Sequence, residues 1–130
     1  MKEVQEFLKE CGVYFLATTE GNQPRVRPFG TAEIFDNHLY IQTGKNKDVY
    51  KQIKNNPNVE MSGFKDGKWI RVTGKLIPDD RVEAKKNMLD KNPELRGMYD
   101  ENDDNTIVLY FETGKAIISS FTEEPIIINF

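Results

Sequence analysis

Two arginines stand two residues apart in Arg25-Val26-Arg27-Pro28. On an extended strand that spacing points both side chains to one face. Two guanidiniums sharing a face repel each other unless an anion sits between them. A second basic group follows in Thr43-Gly44-Lys45-Asn46-Lys47, where a β-rich run breaks and a helical pattern begins. Exposed amides after Thr43, the positive end of a helix and converging lysines would make a cradle for phosphate. Adjacent strands would set the two groups side by side. A plainer description also fits: basic residues guarding an edge strand, followed by a surface turn.

Residue counts remove most other chemistry. The 130 residues include one Cys and one His. A zinc site takes about three or four Cys- or His-type ligands, more than Cys11 and His38 supply. A hydrolytic triad would have to use His38, which directly follows the turn signal Asp36-Asn37. Gly63, Gly67 and Gly74 do not approach G-x-G-x-x-G, and no strand–loop–helix phosphate loop is visible. The acidic stretch Asp100 to Asn105 begins like a calcium loop, but Asn105 stands where the glycine belongs and Phe111 where the glutamate belongs. Redox or group-transfer chemistry would therefore come from a bound organic cofactor.

Charge and hydropathy narrow the partners. The chain carries a net −3, yet residues 21–75 hold ten bases against five acids. A nucleic-acid surface is broadly basic, so a basic middle on an acidic chain favours a local site for a small anion. No apolar run approaches the ~20 residues of a membrane span. Met1 to Glu10 lacks the apolar stretch of a secretion signal. A lone Cys forms no internal disulfide, so a cytoplasmic location is expected.

The elements that must position these residues follow from periodicity. Val4, Phe7, Leu8 and Cys11 mark a helix over 2–11, with Cys11 as a small buried hydrophobe on its stripe. Val13 to Thr18, Arg25 to Phe35 and His38 to Thr43 read as three strands of an antiparallel meander. Asn46 is the expected N-cap of a helix carrying Val49, Tyr50 and Ile53, stopped at Asn56-Pro57. Val59 to Phe64 and Lys68 to Ile77 flank a hairpin turn. Trp69, Arg71 and Thr73 should face one side of the second strand, and Ile70, Val72 and Leu76 the other. Asp80-Arg81-Val82-Glu83 resembles a capping box opening a helix to about Asp90. Residues 92–105 form a polar, acidic connection with at most one helical turn. Ile107 to Phe111 and Ala116 to Phe121 are expected as two strands around Thr113-Gly114. Six or more short strands with helices inserted at two points predict one domain over 1–130, mainly β, built as a closed or partly closed barrel.

The order Gly21-x-x-Pro24-Arg25-x-Arg27-Pro28, Leu39-Tyr40-Ile41-Gln42-Thr43, Lys47 opening a helix that ends at Asn56-Pro57, then Trp69-x-Arg71-x-x-Gly74 resembles the pyridoxamine 5′-phosphate oxidase-like superfamily. Within it the chain is most similar to short bacterial proteins grouped with the nitroimidazole-resistance (nitroreductase-like) flavoproteins. The resemblance implies an antiparallel, Greek-key FMN-binding split barrel and a homodimer with FMN at the subunit interface. By position, Arg25, Arg27 and Pro28 would line the isoalloxazine and phosphate. Gln42 and Thr43 would touch the ring edge and ribityl chain, Lys47 would bind phosphate, and Trp69 would take a flavin-contacting place. The chain departs from the oxidase proper at Trp69, where that enzyme has a polar residue, and at Asn46, where it has an arginine. It lacks a counterpart of the oxidase's C-terminal substrate-binding stretch. Gln42 stands where the nitroimidazole-resistance proteins have a histidine.

The implied function is an FMN-dependent oxidoreductase that passes reducing equivalents from a reduced nicotinamide, NAD(P)H, to a small electron acceptor, with no catalytic residue assigned. A non-catalytic flavin or haem binder is the alternative. A third reading uses the strand face Arg25, Arg27, Phe29 for single-stranded nucleic acid, and the net negative charge opposes it. The apolar tail Pro125-Ile126-Ile127-Ile128-Asn129-Phe130 is expected either to meet a partner subunit or to pair within its own barrel.

Overall fold

Alternating apolar and polar residues fold most of the chain into strands, as the computed structural model, which describes Met1 to Phe130, shows. Strands β1 (Tyr14–Glu20) and β2 (Gln23–Phe29) form one hairpin, and β3 (Glu33–Phe35) and β4 (His38–Gly44) a second. Strands β5 (Asn58–Lys65) and β6 (Lys68–Asp79) form a third, followed by β7 (Thr106–Ser120) and β8 (Ile126–Asn129). Positive φ at Asp36, Asn37, Asp66 and Gly67 marks two tight turns, which the Asp-Asn and Asp-Gly pairs tolerate. Helices α1 (Lys2–Cys11), α2 (Asp48–Asn55) and α3 (Val82–Lys91) pack around the strands. None of them is long and apolar enough to cross a membrane.

The ladder is antiparallel throughout and runs β2-β1-β5-β6-β7-β4-β3, with β8 added to β7. Its ends, β2 and β3, do not pair. Residues 30–32 cross the gap between them instead. Tyr14 Oη donates to the Thr31 carbonyl at 2.7 Å, and Gln42 N donates to Thr31 Oγ1 at 3.0 Å. The architecture is therefore a mainly β split barrel with inserted helices. Leu16, Ile41, Met61, Ile70, Val72 and Phe111 fill its interior.

Two expectations change, and one left open is decided. The strand expected over Arg25 to Phe35 breaks at Gly30, and the meander is not formed, because β4 takes β3 and β7 as its neighbours. The break has a cause outside the segment. Buried Glu33 is held by an ion pair with Lys9 of α1 and accepts from Asn92 Nδ2 at 3.0 Å. These contacts draw β3 away from β2. Secondly, the two final strands merge into β7. Gly114 stands opposite Gly74 beside a register shift in β6. A Cβ at Gly74 would lie 2.8 Å from Phe111 Cδ1, and one at Gly114 would lie 2.6 Å from Phe130 Cε2. Bare backbone at both positions lets β6 and β7 bend together, so each serves both halves of the barrel. Thirdly, the tail pairs within its own chain. Ile127 stands opposite Ile117, Phe130 exchanges both backbone hydrogen bonds with Gly114, and its ring meets Phe111 edge-on at 5.8 Å. Ile127 nevertheless stays on the outer face, half exposed.

The α1 stripe forms as the spacing predicts, with Val4 and Leu8 buried. Cys11 is only half-buried at its end, and burial raises its thiol pKa.

Candidate functional site

The alternation of β1 and β2 decides which arginine turns inward. Leu16 and Thr18 are buried, and their register partners on β2 are Arg27 and Arg25. Both arginines therefore share the inward-facing row, as the spacing predicts, but they end differently. Arg27 is half-buried. Its Nη1 donates to the Leu16 carbonyl at 3.1 Å and to Thr18 Oγ1 at 2.7 Å, and its Nη2 to Gln52 Oε1 at 2.6 Å. Burial first and then the nearby Arg25 lower its pKa, against Asp48; a guanidinium stays charged under such a shift. Arg25, nearer the hairpin turn, reaches outward to Glu20 Oε1 at 2.9 Å.

Arg27 opens onto a cleft of about 400 Å³ whose lining includes Pro28, Phe29, Thr31, Gln42, Thr43 and Lys47. Gln42 and Thr43, at the end of β4, are buried, and Gln42 Nε2 donates to the Thr43 carbonyl at 3.1 Å. On the other side of Arg27 lies a groove of about 600 Å³, lined by Arg25, Lys47, Asp48 and Gln52 among others. Arg27, Lys47 and Val49 border both spaces.

The segment after Thr43 corrects the phosphate-cradle expectation. Lys45 N donates to the Asn105 carbonyl at 2.7 Å, Asn46 N to Asn105 Oδ1 at 3.0 Å, and Lys47 N to the Gly44 carbonyl at 3.0 Å. Lys45 Nζ is taken by Asp80 at 2.9 Å. These amides are already satisfied, so they are not the donors for a ligand. What remains is the Lys47 side chain and the first turn of α2, which has no side-chain cap. Lys47, not Asn46, is the N-cap. Asn46 is committed to Asn105, a partner 59 residues away that local pattern does not reveal.

Charge pairing singles out two of these residues. Arg25, Arg71, Arg81 and Arg96 each meet a carboxylate. Arg27 is in no such pair, and neither is Lys47. A half-buried guanidinium and a lysine without counter-ions, at one end of a cleft, are positioned for an anion. Polar Thr31, Gln42 and Thr43 follow, and Pro28 and Phe29 begin an apolar stretch. The arrangement suits a molecule with an anionic end, a polar middle and a flat apolar body.

A sequence profile described as pyridoxamine 5′-phosphate oxidase matches residues 1–93. The chain belongs to the pyridoxamine 5′-phosphate oxidase family. It is similar to the crystal structure of a NimC/NimA family protein from Clostridium acetobutylicum, with 46% identity over 100% of this chain and 92% of that one and a TM-score of 0.97. It is also similar to general stress protein 26 from Bacillus anthracis, with 19% identity, 97% and 99% coverage and a TM-score of 0.72. A pyridoxamine 5′-phosphate oxidase-related, FMN binding protein from Nostoc punctiforme shares 14% identity over 99% of this chain and 94% of that one, with a TM-score of 0.67. These last two share the fold. No curated protein matches the sequence.

Of the residues singled out by sequence, this family member brings Arg27, Pro28, Gln42, Thr43 and Lys47 together in the cleft and Arg25 into the adjoining groove. Trp69 lies away from the cleft, on the outer face of β6 with its ring 5.1 Å from Phe121. Sequence reasoning missed the far wall, Asn92, Leu95, Met98 and Tyr99, in the connection taken as merely polar. Asn92 is tied by Nδ2 to Glu33 and to the Met88 carbonyl, both at 3.0 Å. Arg96 braces the wall through Asp90 and Glu101, each at 2.7 Å. Three apolar residues spaced within an acidic stretch were the available signal. Gln52 was missed too, although a glutamine on the apolar stripe of α2, between Val49 and Ile53, is anomalous.

Proposed function

We propose that the cleft binds FMN, with the phosphate at the Arg27 and Lys47 end and the isoalloxazine between Phe29 and the wall of Leu95, Met98 and Tyr99. The observation that carries this reading is the unpaired charge: Arg27 is the one arginine of the chain without a carboxylate partner, and it opens onto a cleft with an apolar far end. Gln42 and Thr43 lie where the polar ribityl chain and ring edge would pass. The FMN binding described for the similar fold from Nostoc punctiforme supports the choice of cofactor. A bound flavin would supply hydride or electron transfer between a reduced nicotinamide and a small acceptor. The chain's own residues hold the phosphate, orient the ring and exclude water from one side of it. No histidine or cysteine lines the cleft.

We further propose that the protein is a homodimer with the flavin near the subunit interface. Its outer sheet face carries Phe15 at 50%, Phe64 at 63% and Phe121 at 87% exposure, with Ile127 at 57%. Trp69 stands opposite Phe64, and Ile117 opposite Ile127, on that face. A second copy would cover this face symmetrically and would bring Trp69 toward a shared site.

Titration with FMN, followed by flavin fluorescence, tests the cofactor. Saturable binding at one flavin per chain is expected, and absence of binding refutes the reading. Anaerobic oxidation of NAD(P)H by the flavin-loaded protein distinguishes an oxidoreductase from a non-catalytic flavin carrier.

A further inference from the structure

The polar middle of the cleft holds two acceptors to which nothing in the protein donates. Gln42 and Asn92 are each only 7% exposed, and both line the cleft. The nitrogen of each amide sets its orientation. Gln42 Nε2 donates to the Thr43 carbonyl at 3.1 Å, and Asn92 Nδ2 to Glu33 Oε2 and to the Met88 carbonyl, both at 3.0 Å. Carbonyl and carboxylate oxygens only accept, so neither amide can be turned over. Gln42 Oε1 and Asn92 Oδ1 are left without a donor. The one polar side-chain atom sealed from solvent without a partner is Asn87 Oδ1. The two amide oxygens therefore keep some open surface, and their residues line the cleft and not the groove beyond Arg27.

These oxygens are unlike the rest of the site. Arg27 and Lys47 only donate, and the hydroxyls of Thr31 and Thr43 can turn either way. Gln42 Oε1 and Asn92 Oδ1 can only accept, so a ring set against them is stabilised through its N–H groups. An oxidised isoalloxazine has one N–H, at N3. When a reduced nicotinamide gives up a hydride, its C4–H bond breaks, an N5–H bond forms on the flavin and both electrons go with the hydrogen. The reduced ring then has a second N–H where the oxidised ring had a lone pair. Two open acceptors match the reduced ring, whereas the oxidised ring leaves one of them unused, at the cost of desolvating it.

We propose that Gln42 and Asn92 make the cleft selective for the redox state of its cofactor: their carbonyl oxygens accept from ring N–H groups and hold the two-electron reduced flavin more tightly than the oxidised one. This rests on the flavin reading and goes beyond it. By linkage, the preference raises the midpoint potential of the bound flavin.

Anaerobic titration of the full-length protein with oxidised FMN and with dithionite-reduced FMN measures the preference, and spectroelectrochemistry measures the potential. Wild type should hold reduced FMN about tenfold tighter or more, which is about 30 mV for a two-electron couple. Arg27 and Lys47 also attract the negative charge of a reduced ring, so the deciding change is an uncharged one. Gln42→Met keeps the side-chain length and deletes the acceptor. It should weaken reduced FMN about tenfold and oxidised FMN less than about threefold, lowering the potential by about 15–30 mV. Asn92→Ala should shift the potential the same way and serves if Gln42→Met does not fold. The inference is overturned if wild type binds the two states equally, or if the variants weaken both states by the same factor and leave the potential unchanged. That second outcome would mean that the oxygens meet N3–H or a ribityl hydroxyl, which both states possess. Absence of any flavin binding by wild type would instead refute the cofactor reading beneath it.

Discussion

Replacing each arginine of the Arg25/Arg27 pair separately should give very different losses of FMN affinity. Arg27 faces the cleft without a carboxylate partner, held by Leu16, Thr18 and Gln52. Arg27→Ala therefore removes a charge-assisted contact to the phosphate, worth about 1.5–3 kcal/mol, or roughly 10- to 150-fold in Kd. Arg25 already meets Glu20 at 2.9 Å and is solvent-exposed. Its removal changes only a screened charge in water, about 1 kcal/mol or less, or under about fivefold in Kd. Fluorescence titration with FMN at physiological ionic strength measures both, with thermal melts confirming that each variant is folded. Equal losses, or a larger loss for Arg25→Ala, would show that the phosphate is not at the Arg27 end and sink the assignment.

Lys47→Ala should weaken FMN about 10- to 100-fold; unchanged binding removes Lys47 from the phosphate site. Gly114→Ala should cost about 1–3 kcal/mol in thermal unfolding, because its Cβ would press on Phe130 at 2.6 Å; a neutral result would mean the tail yields freely. Asp103 is partly desolvated, which raises its pKa, but hydrogen bonds from the Thr106, Asp100 and Asn105 amides outweigh this and bring it from 3.8 to about 2. Since the folded pKa is the lower one, its contribution is present above pH 3.8 and is lost as pH falls toward 2. Asp103→Asn should flatten that part of the acid-unfolding curve, and a superimposable curve contradicts the account. Sedimentation should give one species at twice the 15.0 kDa chain mass, and Phe64→Asp should shift it to monomer; a flavin-saturated monomer of the wild type would rule out the dimer.

Local pattern was enough for the parts of this protein whose determinants lie within a few residues. The alternation in Ile70, Val72 and Leu76 placed one face of β6 inside, the spacing of Val4 and Leu8 placed α1, and the Asp-Asn and Asp-Gly pairs fixed two turns. The two-residue spacing of Arg25 and Arg27 placed both on one face. Which of them serves the cleft was decided by tertiary structure, because Glu20 takes one and Gln52 the other, through partners five and 25 residues away. The same limit explains the amides after Thr43, satisfied by Asn105, and the break at Gly30, imposed by Glu33 with Lys9 and Asn92. It explains the bend at Gly114 and the wall at Leu95 to Tyr99 as well. Sequence periodicity reports which way a side chain points relative to its own backbone. The hydrogen-bond partner it finds there depends on how distant strands and helices are brought together in the fold.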